Sequence, residues 1–481
     1  MSIQKLDYLI LGGGLSGLYC AKRLLKEKGI KNLMILEAKN KIGGRIQTYK
    51  GLLNNNYADL GAQWILPQHT RILDLSKSYK LKVFPTYSQG QSIYQFNGKN
   101  YKDQDEILDK SAQDLFDQTD EFVDKFLSLL NHQQFIDSPK MTLQDQIDDF
   151  MASHVTIQDK HIQNLFRLHL VSNLESVTAY PLSKISLKYA SFMEKQGKDF
   201  TSLQGEFDQL RMEGGVENLI EKLAQDFEAP KYVQLNQKAV QIIQHSNDLV
   251  EVQVLESTEK DSKYSKNEIL IQKSYFAKKL IISVPPFIFK QIGLQLLNSQ
   301  NQRKIQNLVQ SYDVGNVIKT FLLYDTPFWR NKNLSGNAFC YENPYVTDIY
   351  DMSCSHSQNG MLQVFSVGQK ATEAQKLSKT EFRTKIIQSL VSIFGRESYN
   401  YFDYYTHSFI EDPFVLGGYS GLQIGKLDQL GESPVQELVD FNTQKNQNIF
   451  FVGTETSQSF NGYMEGALRS VDWYFENSFK N

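Results

Sequence analysis

A mixed α/β fold is predicted by three stretches of this sequence. Residues 6–36 read as strand, glycine-rich turn, helix and second strand; residues 231–255 and 317–324 read as further strands; and residues 107–170 carry leucine and phenylalanine at i, i+3, i+4 spacing, which predicts a helical layer. With 481 residues, 41% of them hydrophobic, the chain can form two or so domains with large cores. A formal net charge of -3, with no block of like charges, offers no electrostatic footprint for nucleic acid or an anionic membrane surface. No run approaches the roughly 18–20 apolar residues of a membrane span, and Trp473 to Asn481 mixes aromatic with polar side chains, so no membrane anchor is expected. Cys20, Cys340 and Cys354 form no CxxC pair, which argues against a disulfide framework or a thiolate zinc site and fits a reducing, cytoplasmic setting. His154, His161 and His169 could share a helical face, yet satisfied or solvated histidines are the commoner outcome, and no metal is expected.

The first element, Leu6 to Leu11, is β-prone and apolar; Gly12, Gly14 and Gly17 then form GxGxxG, and Leu15, Leu18, Ala21, Leu24 and Leu25 follow at helical spacing. The apolar stretch from Tyr8 to Ala21 could pass for a signal peptide, but its patterned glycines and the amphipathic helix after it read as structure. Such glycines let backbone approach a pyrophosphate, and the helix start, which includes Ser16, offers unpaired N–H groups and a positive dipole end. A second strand, Asn32 to Leu36, ends at Glu37, 20 residues beyond Gly17. A carboxylate there accepts hydrogen bonds from both hydroxyls of an adenosine ribose and repels a 2′-phosphate. This is a Rossmann-like dinucleotide unit, although glycine-rich turns also occur for packing alone, and it leaves NAD and FAD both open. Lys41 to Arg45 then places Gly43, Gly44 and a guanidinium where a nicotinamide domain would continue its winding, and Arg45 can reach the same pyrophosphate bidentately.

Taken with three later segments, these residues resemble the flavin-containing amine oxidase family, which holds monoamine oxidases, polyamine oxidases and L-amino-acid oxidases. The later segments are Tyr57 to Trp64, Val314 to Lys319 continuing to Phe328-Trp329-Arg330, and Phe451 to Thr456 continuing to Asn461 to Ala467. The resemblance implies bound FAD, with the segment from Asp59 through Gly61, Ala62, Gln63 and Trp64 lining the flavin ring. Val240 matches a position where backbone meets adenine. Gly453, Glu455 and the helix start at Met464 would face the flavin pyrimidine edge, where the helix dipole stabilises the negative charge of reduced flavin.

Lys319 lies in the β-prone run Val317 to Tyr324, where alternation alone leaves it facing either solvent or interior. In the family the matching lysine holds a water against flavin N5 and assists reoxidation by oxygen. Tyr463 matches one wall of the family's aromatic cage for the amine. The second wall is expected from Gly417-Gly418-Tyr419-Ser420, where monoamine oxidases carry a flavin-bonding cysteine followed by tyrosine. Here Tyr419 stands at the cysteine's place, so FAD is expected to be non-covalent, and Tyr419 serves as the wall through a one-residue shift unless the cage is half open at Ser420. Trp329 reads as a buried structural residue.

The implied architecture is an FAD-binding domain of residues 1–84, 206–290 and 413–481, discontinuous in sequence, and a substrate domain of residues 85–205 and 291–412 with sheet plus helical cap. The implied activity is FAD-dependent oxidation of a small-molecule amine to an imine, with O2 reduced to H2O2. A desaturase or isomerase of a lipid-like substrate, or a non-catalytic flavoprotein subunit, are the competing readings; Lys319 with Tyr463 argues against the first. Because Trp64 stands near the place where L-amino-acid oxidases carry a carboxylate-clamping arginine, the amine is expected to lack an α-carboxylate. Arg71 does not discriminate, and Arg167 is the alternative clamp.

Overall fold

The computed structural model describes residues 5–102 apart from 97, three positions within 125–128, 141–154, 160–191 apart from 188, 209–257, 270–423 apart from 420, 434–444 and 447–479. Strand β1 (Lys5–Leu11) runs parallel to β2 (Leu33–Leu36) on one side and to strand Leu270–Ile282 on the other, with helix α1 (Leu15–Glu27) between β1 and β2. Strand Val233–Gln234 extends the parallel part beyond β2, and Ile449–Phe451 pairs with Leu280, Ile281 and Ile282. The antiparallel hairpins of Gln237–Ser246, Leu249–Ser257 and Leu270–Ile282 complete this sheet with Gly293–Gln295, a strand that follows the expected boundary at 290. Alternation along β1 sends Tyr8 and Ile10 into one core, with Leu18, Leu219 and Leu468, and Leu9 and Leu11 into the opposite core, with Val252, Leu308 and Phe451. The sheet is thus covered on both faces, the doubly wound arrangement its apolar strands require.

A second, seven-stranded sheet has strand Val317–Tyr324 near one edge, between Asp403–Ser408 and Gly360–Val367, followed by Asp348–Asp351, Leu334–Cys340, Gln91–Phe96 and Lys99–Lys102. Ile318, Leu322 and Tyr324 pack with Ile386 and Leu390 of helix Lys379–Phe394; Val317, Phe321 and Leu323 belong to clusters on the opposite face. Helices Leu143–His154 and Lys160–Thr178 form a further layer whose Ile147, Phe150, Leu170 and Leu174 share a core with Ile185 and Tyr189. The rest of the expected helical cap, between 107 and 140, and the polar insert from 256 to 266 lie largely outside the described residues; around the insert, Ser257 pairs with Leu270 as a hairpin requires. Among the described residues no helix is long and apolar enough to cross a membrane.

The Asn/Gln-rich stretch Asn442 to Asn448, which reads as surface, departs from expectation at both ends. Asn442 is buried because its amide donates to the Phe451 carbonyl at 2.8 Å and accepts from the Phe451 N–H at 2.8 Å, closing the edge of strand Ile449–Phe451. Asn448 is buried too, donating to the Ser246 carbonyl.

Candidate active site

A cavity of about 590 Å³ runs from the β1–α1 turn to the face of the second sheet. Its nucleotide end is lined by Gly12, Gly14, Ser16, Glu37 and Lys39, its middle by Gly44, Arg45, Gly61, Ala62, Gln63 and Trp64, and its far part by Tyr350, Asp348 and Tyr189. Gly14 caps α1 without any side-chain hydrogen bond and no acidic residue occupies the first turn, so the helix start presents its N–H groups to the cavity. Glu37 is buried at the end of β2; its Oε2 accepts the Gly13 N–H at 2.7 Å and its Oε1 the Lys39 N–H at 2.9 Å. Burial raises its pKa, and those two N–H groups work against the rise.

Gly17 does not line the cavity. A Cβ there would stand 2.1 Å from the Gly12 carbonyl oxygen, so this glycine serves the close packing of α1 on its own turn. Gly61 is equally constrained, since a Cβ would meet the Arg45 carbonyl oxygen at 1.8 Å.

Arg45, expected to reach the pyrophosphate, lines the cavity and also has a partner within the protein. Its fork closes on Glu455, Nη1 to Oε1 at 2.6 Å and Nη2 to Oε2 at 3.0 Å, and Glu455 also accepts the Gly421 N–H at 2.9 Å. Glu455 is buried and, paired in this way, does not line the cavity. The planar match of guanidinium to carboxylate explains the preference. Val240 also stands away from the cavity, as the extra residue of a bulge between Ala239 and Gln241.

Lys319 faces the interior. Its Nζ donates to the carbonyls of Asp59 at 3.1 Å and Gly61 at 2.6 Å and to Gln63 Oε1 at 2.7 Å. Loss of water lowers its pKa to about 7; the nearby Asp59 carboxylate opposes that fall and the buried Arg211 adds to it. The Nε2 of Gln63 is buried and has no partner among the described residues, and the residue lines the cavity, so the amide is held by the lysine at one end and has an unused donor at the other. Tyr419 and Tyr463 both line the cavity and lie near enough to act on each other electrostatically; burial holds the Tyr419 phenol protonated. Ser420 lies outside the described residues. Tyr463 caps helix Met464–Ser478, and Met464 and Gly453 line the cavity beside it. Trp329 is fully buried away from the cavity, its Nε1 donating to Asp351 at 2.8 Å.

Sequence reasoning passed over several lining residues. Strand register sets His407, Lys319, Phe365, Asp348, Phe339 and Tyr94 side by side across six strands, and all six line the cavity. His407 is neutral, its pKa lowered to about 4 by burial and by Lys319. Neither Arg71 nor Arg167 lines the cavity: Arg71 pairs with Asp472 at 2.8 Å and Arg167 with Asp148 at 2.9 Å.

The family model "Flavin containing amine oxidoreductase" matches residues 15–470, nearly the whole chain. The chain belongs to the flavin-containing amine oxidoreductase family. As a member it is an FAD-dependent amine oxidase, and the uncapped helix start, the buried Glu37 and the Gln63 amide nitrogen left without a partner among the described residues are a donor and acceptor set that fits FAD. It is 27% identical to a probable flavin-containing monoamine oxidase A of Dictyostelium discoideum, over 96% of this chain and 95% of that one. It is 25% identical to the flavin-containing amine oxidase B of Sus scrofa, over 97% of this chain and 85% of that one. Among solved structures, cyclohexylamine oxidase from Brevibacterium oxydans superposes with a TM-score of 0.80 at 20% identity over 99% of this chain and 100% of that one. A double mutant of putrescine oxidase gives 0.79 at 21% identity over 99% of each.

Proposed function

We propose that this amine oxidase holds FAD without a covalent bond and oxidises small amines that carry no α-carboxylate, in the middle of the cavity where Lys319, Gln63, Tyr419 and Tyr463 converge. The observation that carries the reading is the buried Lys319, tied to the Gly61 carbonyl and to the amide of Gln63, a cavity-lining residue whose buried Nε2 has no partner among the described residues.

FAD supplies the redox chemistry: two electrons and two protons leave the amine, one proton from Cα and one from nitrogen, giving an imine that water hydrolyses, and O2 takes them up as H2O2. Helix α1 and Glu37 bind the dinucleotide. Tyr419 and Tyr463 orient the amine with its Cα toward the flavin and exclude water from it. As an ammonium, Lys319 has all three hydrogens engaged and places a positive charge where oxygen is reduced. As a neutral amine it keeps two of those bonds and gains a lone pair that accepts from a water. The absence of a covalent link is supported by Cys20, Cys340 and Cys354, all buried and none lining the cavity. The exclusion of amino acids is supported by Arg45, the one arginine among the described lining residues, being engaged by Glu455. We further assign the cofactor to a domain of residues 1–84, 206–290 and 413–481, extended past 290 by strand Gly293–Gln295 and the Leu308 segment that pack with it, and the substrate to the remainder, and place the protein in the cytoplasm on its free thiols. Anaerobic mixing with an amine should bleach the flavin absorbance; a flavin that stays oxidised with every amine tried overturns the reading.

A further inference from the structure

Beyond Lys319 the same row of the second sheet carries an acidic group that the chemistry above does not use. Phe365 pairs with Lys319 on one side and with Asp348 on the other, so the lysine and the aspartate lie two strands apart on one face, roughly 10 Å between their Cα atoms at ~4.8 Å per strand. Asp348 is 4% exposed and lines the cavity. Among the described residues the Ser176 hydroxyl alone donates a hydrogen bond to it, and no cation lies at ion-pair distance. Lys370 acts on it from farther off, but that ammonium donates to the backbone carbonyls of Cys340, Tyr341 and Val346. Burial raises the carboxyl pKa to about 6, with Ser176 and Lys370 opposing the rise, so the group is mostly ionised at neutral pH.

A buried carboxylate with one neutral donor is under-compensated, and the cavity is its open side. The path from Lys319 to Asp348 is walled by Phe365, Tyr350 and Phe339, whose rings suit a methylene chain and tolerate a cation passing over their faces. The histidines at the two ends, His407 and His169, are both held neutral by burial, so they raise no barrier to a positive ligand.

We propose that Asp348 docks a second cationic group of the substrate, making this enzyme selective for diamines and polyamines, with one nitrogen at Tyr419 and Tyr463 and another at the carboxylate. The inference rests on the amine oxidase reading of the same cavity and adds the substrate class to it. A charge-assisted contact to a buried carboxylate is the kind of interaction whose loss changes specificity by tenfold or more.

The test uses the FAD-loaded enzyme and peroxide formation with matched chains: hexylamine, aminohexanol and hexamethylenediamine, then pentylamine, aminopentanol and cadaverine. The diamine of each set should exceed its monoamine and its amino alcohol in kcat/KM by at least about tenfold. In Asp348→Asn the diamine-to-monoamine ratio should collapse toward one, whereas Asp348→Glu should retain a preference and move the best chain length. Wild-type enzyme that treats diamine, monoamine and amino alcohol alike overturns the proposal, even if neither variant folds. A ratio that survives in Asp348→Asn overturns it as well. Bleaching of the flavin by hexylamine without diamine preference rejects the Asp348 subsite alone; no bleaching by any amine rejects the underlying reading too.

Discussion

At its nucleotide end the cavity presents backbone, and at its amine end it presents side chains. The turn between β1 and α1, the bare start of that helix and one carboxylate at the end of β2 come from 33 consecutive residues, Lys5 to Glu37, and need no partner from elsewhere to take shape. The amine end assembles His407, Lys319, Phe365 and Asp348 from four strands, together with tyrosines at 419 and 463. The first kind of site tolerates side-chain change and is broken by steric intrusion; the second is tuned residue by residue.

Intrusion at the nucleotide end should have the largest effect. Gly17→Val puts its Cβ and two methyls against the Gly12 carbonyl, and the protein should lose its flavin outright, read as the ratio of visible to ultraviolet absorbance; a fully yellow variant would show that the turn can give way. Acid precipitation of the wild type should leave a colourless pellet and a yellow supernatant, whereas flavin held in the washed pellet would place a covalent bond at this site. Next in size is the choice between phenylethylamine and phenylalanine, or tyramine and tyrosine. A carboxylate buried without a partner costs a few kcal/mol, so kcat/KM should favour the amines by about 100-fold, and a preference for the amino acids would redirect attention to Arg167.

A smaller effect, about tenfold on the rate of reoxidation and less on reduction, is expected for Lys319→Met in stopped-flow traces. Wild-type reoxidation should follow one ionisation near pH 7, protonated below and neutral above, and the variant should lose that inflection. The same shift has a stability consequence. The unfolded lysine keeps its proton well above pH 7 while the folded one releases it, so the cost of charging Lys319 is complete below about pH 7 and is relieved as the pH rises toward 10.5. Any thermal advantage of the variant should therefore shrink between pH 7 and 9. Unchanged reoxidation with slowed reduction would reassign the lysine to the amine. The smallest change, a few-fold rise in KM, is expected for Tyr419→Phe, which keeps the ring wall and removes only the hydroxyl; loss of a hundredfold would mean the phenol itself handles a proton.

That contrast also decides what could be read from the chain. Strand Val317–Tyr324 has the limits its pattern implies, and the dinucleotide turn is legible because its chemistry is contiguous. The orientation of Lys319 was not legible, since every residue of its strand is buried and alternation carries no signal. Asp348, in the run Val346 to Tyr350, reads as an ordinary polar strand position until register sets it beside Phe365. Arg45 reads as a phosphate ligand because its segment is near the glycines, while its partner Glu455 lies 410 residues away, beyond any local pattern.

The Arg45–Glu455 pair also fixes an order of events during synthesis. The glycine turn leaves the ribosome long before strand Ile449–Phe451, the Glu455 carboxylate and the helix whose Ala467 carbonyl accepts from Ser16. At roughly 5–20 residues per second, the growing chain carries a recognisable nucleotide turn for about 20–80 s before the other wall of the site exists. Cofactor capture therefore waits for the segment around Glu455, and a chain that stops before that residue lacks the carboxylate that holds Arg45.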